Sequence, residues 1–126
     1  MAWDFESGIP IYQQIITALK MRIAAGNFEP DEKLPSVRDL AMEAGVNPNT
    51  MQRALAQMEQ EGFLYTNRTA GRHVASDPEK IALLRKQIAE EEIGRMFGKL
   101  QKIGMSRAEI IGAVNSWSEP PESDHS

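Results

Sequence analysis

Cysteine is absent from this chain. Without a thiol there is no disulfide framework, no thiolate metal site and no cysteine nucleophile. Histidine is scarce, with only His73 and His125, and a metal site needs several ligands brought close together. His73 reads as a strand residue half-packed on its domain. Apolar runs are short, and none approaches the ~18 residues that a membrane-crossing helix requires. The start, MAWDFESGIP, lacks the basic lead and apolar core of a signal peptide. A soluble, cytoplasmic protein with no membrane partner is expected. No phosphate loop, nucleophile–base pair or catalytic carboxylate pair can be assembled, and Glu90–Glu92 read as a solvated helix face. An enzyme is therefore not expected, nor a cofactor or a metal. Positive charge is in deficit as well: 14 Lys and Arg face 18 Asp and Glu, for a net charge of −4. That balance predicts weak non-specific attraction to nucleic acid, so any such contact must depend on local placement of the basic groups.

What is present is helical patterning broken by clear stops. With 126 residues there is room for one domain and an appendage. Trp3–Ile9 suggests a short strand or an arm, pinned by Trp3 and Phe5. Pro10 suits the first position of a helix. Ile11, Ile15, Leu19 and Ile23 then form one stripe, and Gly26 stops it, which predicts a helix over 10–25. NFEPDEKLP is a connector, too rich in proline and acid for a helix interior. Ser36 reads as an N-cap with Asp39 three residues on, a form of the capping box. Val37, Leu40, Ala41 and Ala44 make a small apolar face before Gly45. Asn47 caps the next helix, Pro48 opens it and Gly62 closes it. A short helix, a tight glycine turn and a longer helix make a helix-turn-helix. FLYT and RHVA then flank NRTAG, where Gly71 can take a positive φ, so a hairpin or wing is expected. Met42, Met51 and Met58 read as core fillers.

The third helix carries an unusual outer face. Met51, Ala54, Leu55 and Met58 recur at helical spacing. Opposite them lie Asn49, Gln52, Arg53 and Gln60, where a solvated helix would carry Glu and Lys. Amides pair with adenine, arginine with guanine, and threonine donates to phosphates or touches a thymine methyl. Asn47, Asn49, Thr50, Gln52 and Arg53 cluster in the first turns, which a helix presents to the DNA major groove. Arg38 is placed to reach a base or a phosphate. The free backbone amides after Ser36 and Asn47 suit phosphate oxygens. Arg68 and Arg72 lie in the wing, where a minor groove has room for one of them.

PIYQQI, LPSVRDLA, VNPNTMQRAL and EGFL, followed by a wing ending in glycine and valine, resemble the GntR family of bacterial transcription regulators. The motifs cover residues 9–75, and the short remainder resembles the YtrA subfamily. The resemblance implies a homodimeric repressor with DNA contacts from Ser36, Arg38, Asn49, Thr50, Gln52, Arg53 and Gly71. Two departures limit the carry-over. Many relatives have a basic residue where this chain has Pro48 and an arginine where it has Gln52, so their base preference does not transfer. Their wing often reads G-x-G-T-F-V, against Thr69–Val74 here.

Past the wing, Asp77 and Pro78 start a helix with Ile81, Leu84 and Ile88 on one stripe. The stripe slips after Glu92 and resumes at Ile93, Met96, Phe97, Leu100 and Ile103. Gly104 ends it, and Ser106 with Glu109 caps a last helix bearing Ile110, Ile111, Val114 and Trp117. Two helices cannot bury that surface alone, so a homodimer joined through 77–117 is expected. Folding back onto the winged domain is the alternative. Phe97 and Trp117 read as dimer-core residues rather than a ligand cage. Residues 118–126 read as a disordered tail. The expected fold is therefore mainly α with a small β wing: a winged helix-turn-helix domain over 1–76 followed by a two-helix dimerisation segment. The expected partner is a double-stranded DNA operator. A winged-helix protein-interaction module without DNA binding is the competing reading, and it would expose apolar side chains on the outer face of the third helix. A small-molecule effector is not expected, because residues 77–126 are too few to enclose a pocket of about 300 Å³.

Overall fold

A computed structural model of the chain describes residues 3–121. The expectation for the end of the tail, with His125, lies outside the described residues. Among those residues the elements run α1 (Ile11–Ala24), α2 (Val37–Ala44), α3 (Pro48–Gln60), β1 (Leu64–Asn67), β2 (Gly71–Val74), α4 (Pro78–Lys102) and α5 (Arg107–Ser116). The chain is mainly helical with a two-stranded antiparallel wing, as the sequence predicts.

Local chemistry sets the boundaries. Pro10 is the N-cap of α1, with ψ 134°, one position earlier than expected. Ser36 accepts a hydrogen bond from the Asp39 amide, and Gly45 ends α2 at φ 70°, in the left-handed region. Asn47 Oδ1 accepts from the Asn49 amide, and Pro48 opens α3. Ser106 and Glu109 complete both halves of a capping box at α5. Residues 3–6 form no strand. The arm is instead tied down by Gln14, whose Oε1 accepts from the Glu6 amide while its Nε2 donates to the carbonyls of Glu6 and Ile9. The rings of Trp3 and Phe5 lie 6.1 Å apart.

The chain divides into two compact units, the first ending at Arg85 and the second starting at Lys86. In the first, α3 is the centre: α1, α2 and β1 all pack on it. Ile15, Leu19 and Ile23 of α1 meet a floor of Met51, Ala54, Leu55 and Met58, all buried. Met42 departs from expectation. It is 71% exposed, because Leu40 and Ala41 already fill the inward face of α2. The connector holds a further difference. The Leu34 amide donates to the Arg72 carbonyl and the Val74 amide to the Glu32 carbonyl, so Glu32–Leu34 runs along the free edge of β2. Asp31, at φ 60°, turns the chain into this edge. Its carboxylate accepts from Tyr65 and Ser76, which raises the pKa of the Tyr65 phenol above its ordinary value, with desolvation a lesser cause.

In the second unit Ile110 is the one buried apolar residue among those described. The Arg107 guanidinium lies 5.7 Å from the centre of the Phe97 ring. Ile93, Ile103, Val114 and Trp117 are exposed, at 52%, 73%, 50% and 69%, while Ile88, Met96, Phe97 and Leu100 are half-buried.

Candidate nucleic-acid interface

The strand register decides which wing residues face the helices. Leu64 pairs with Val74, Tyr65 with His73, Thr66 with Arg72 and Asn67 with Gly71. Leu64 and Val74 are buried. Side chains two positions along a strand share a face, so Thr66 and Arg72 also turn toward α3. Thr66 donates a hydrogen bond to Glu59. Arg72 Nη1 donates to Gln52 Oε1 at 3.3 Å. Arg72 Nε sits 3.8 Å from Glu59 Oε1. That is an ion-pair distance but too long for a hydrogen bond, and the buried Nε has no hydrogen-bond partner. The other face is open. There His73 stacks on Tyr65 with centroids 5.3 Å apart, in keeping with the half-packed strand position read from the sequence.

The turn between the strands is held from within. Asn67 Oδ1 accepts from the Thr69 amide and hydroxyl, and the Asn67 carbonyl from the Ala70 amide. Arg68 is thereby presented at the tip, exposed. Gly71 follows at φ 90°, and a Cβ there would lie 3.3 Å from the Lys33 side chain. The positive φ favours glycine, whereas the Lys33 side chain could shift to admit a Cβ.

On α3, Asn49, Gln52 and Arg53 are exposed and Thr50 is half-buried. Asn47 has its carbonyl oxygen committed to the cap. Arg38 is exposed on α2. Arg53 is further organised by a residue that sequence reasoning overlooked. Its guanidinium carbon lies 3.7 Å from the centre of the Tyr12 ring on α1. Stacking uses the face of the guanidinium and leaves its in-plane N–H donors free. Losing the stack should weaken DNA binding modestly, by about 0.5–1 kcal/mol, with base preference kept. Anisotropy titration checks this: Tyr12→Ala should lose that much affinity and Tyr12→Phe should lose none.

Lys33 is the second overlooked residue. With Ser36, Leu55, Thr69 and Arg72 it lines an open groove of about 920 Å³ between the start of α2 and the wing. The acids near the end of α3 are occupied internally, Glu61 by Lys20 at 3.0 Å and Glu59 by Thr66 and Arg72. They are therefore partly neutralised despite the chain's net negative charge. No helix among the described residues is long and apolar enough to cross a membrane.

The comparisons with known proteins agree with this geometry. Residues 11–74 match the family model described as bacterial regulatory proteins, gntR family. The chain is 34% identical to the HTH-type transcriptional repressor YtrA of Bacillus subtilis, over 69% of this chain and 72% of that one. It is similar to the solved structure of a GntR family transcriptional regulator from Listeria monocytogenes. The two are 34% identical, with a TM-score of 0.81, covering 90% of this chain and all of that one. It also resembles the DNA-binding domain of AraR solved in complex with operator ORX1. There the identity is 26% and the TM-score 0.54, over 60% of this chain and 96% of that one. The relatives are transcriptional regulators, a class without catalysis. By its matched residues, its motifs and its fold, this chain belongs to the GntR family of bacterial transcriptional regulators.

Proposed function

We propose that this protein is a homodimeric repressor that binds an inverted-repeat operator. One observation carries the DNA reading. The outer face of α3 exposes Asn49, Gln52 and Arg53, directly behind a buried stripe of Met51, Ala54, Leu55 and Met58. A protein-interaction module would expose apolar side chains on that face. The resemblance to a named repressor and to a domain bound to its operator supports the same reading.

The proposed division of labour follows the chemistry of each group. Asn49, Thr50, Gln52 and Arg53 read base edges in the major groove. Ser36, Asn47 and the helix starts they cap hold phosphates, and Arg38 reaches a base or a phosphate. Arg68, at the wing tip, enters the minor groove beside Gly71. The dimer forms through 77–117. Beyond Lys86 only Ile110 is buried among the described residues, and so small a core does not hold two helices together alone. The exposed Ile93, Ile103, Val114 and Trp117 are the surface a second copy would cover.

Selection from a pool of random duplex DNA tests the reading. Enrichment of one inverted-repeat sequence supports it. Binding without enrichment, or no binding, favours the interaction module. A second expected outcome separates holding from reading. Ser36→Ala should weaken all sequences nearly equally, since a phosphate contact carries no base information. It should also lower stability by about 1 kcal/mol through the lost cap, measurable by thermal melting.

A further inference from the structure

Glutamine on a reading helix is ambiguous, because its amide offers an acceptor at one end and a donor at the other. Here the ambiguity is removed by the wing. An arginine has donors only, and Arg72 Nη1 approaches Gln52 to 3.3 Å. The end of the amide facing the wing must therefore be the oxygen. Arg72 is not free to swing away. Its side chain is 17% exposed and its Nε lies 3.8 Å from Glu59. Glu59 is in turn held by Thr66, the residue opposite Arg72 in the wing register. Two strands and α3 thus fix one guanidinium, and that guanidinium fixes one amide.

We propose that Arg72 is a positioning residue that sets the base specificity of Gln52. It holds the Gln52 carbonyl toward the wing and leaves the Nε2 hydrogens as the end offered to DNA. Gln52 then reads an acceptor on a base edge: guanine O6 or N7, adenine N7 or thymine O4. It rejects cytosine, whose major-groove edge offers only the N4 donor. The charged donor on the carbonyl also polarises the amide and strengthens its N–H as a donor. This inference rests on α3 being the reading helix.

The test uses the tightest duplex that the full chain selects from a random pool, with every single-base change of it, at two salt concentrations. The wild type should show one position where cytosine is disfavoured by about tenfold, the low end for a good base contact. Gln52→Ala should erase that discrimination. Arg72→Leu should erase it at the same position, because the released amide can turn its oxygen outward and accept from cytosine. The double variant should add nothing there. Glu59→Gln should relax the same position in part while leaving the arginine in place, and it decides the question if thermal melting shows Arg72→Leu unfolded. The proposal is overturned if Arg72→Leu weakens all sequences alike with a shallower salt dependence and intact base preference, as a phosphate contact would. It is equally overturned if Gln52→Ala leaves every base preference in place. Either result leaves the DNA-binding reading standing, which fails only if the wild type selects no sequence from the pool.

Discussion

Phe97→Asp is expected to convert the proposed dimer into a monomer of 14.1 kDa and to remove tight operator binding with it. Phe97 is half-buried on α4, with Arg107 over its ring. A carboxylate at that position can pair with Arg107 within the same chain, but it cannot be covered by an apolar face of a second copy without a large desolvation cost. The loss on DNA should be large. Two linked half-site readers gain about 10²–10⁴-fold over one, and a monomer forfeits that gain. Ile93→Asp is the companion variant. Ile93 is 52% exposed in the single chain, so its replacement leaves the protomer's own packing intact. If both variants run as monomers in light scattering and keep the wild-type melting profile of the winged unit, the covered surface is the one proposed. A wild type that is already a 14.1 kDa monomer at micromolar concentration sinks the dimer.

Arg53→Ala is expected to cost roughly 1–3 kcal/mol on the selected operator and to relax the preference at one base position. Its side chain is exposed on α3 and lies against the Tyr12 ring. Stacking on Tyr12 reduces the entropy lost when the guanidinium is ordered against a base. The loss should therefore exceed that of Tyr12→Ala, which removes only the support. If Arg53 touches a phosphate instead, base preference stays intact and the salt slope falls by about one unit. Binding to every single-base change at two salt concentrations separates the two outcomes.

The elements most legible in the sequence are those fixed by neighbours along the chain. Ser36, Gly45, Asn47, Pro48, Gly71 and the Ser106–Glu109 pair each act within a few residues, and the structure uses each of them. What escaped sequence reasoning depends on pairing across distance. Glu32–Leu34 reads as a loop by composition and becomes an edge of the wing only because β2 has a free side. Arg72 belongs to the wing in sequence, yet the strand register turns it toward α3 and Gln52. Tyr12 shares the inward-facing run of α1, and its role appears only when α1 crosses α3 beside Arg53. Met42 illustrates the opposite error. An apolar residue type suggested a core position, while the two-turn length of α2 leaves room inside for Leu40 and Ala41 alone.

These couplings tie the proposed reading face of α3 to both of its neighbours, α1 through Tyr12 and the wing through Arg72. In the proposed complex two such faces, related by a two-fold axis, read one operator. Footprinting of the full chain on the duplex selected from the random pool tests this arrangement. Protection of an inverted repeat is expected, with half-sites centred about one or two helical turns apart, and both halves should need a higher concentration of Arg53→Ala than of wild type. A single asymmetric protected site, or protection unchanged by that substitution, would contradict it.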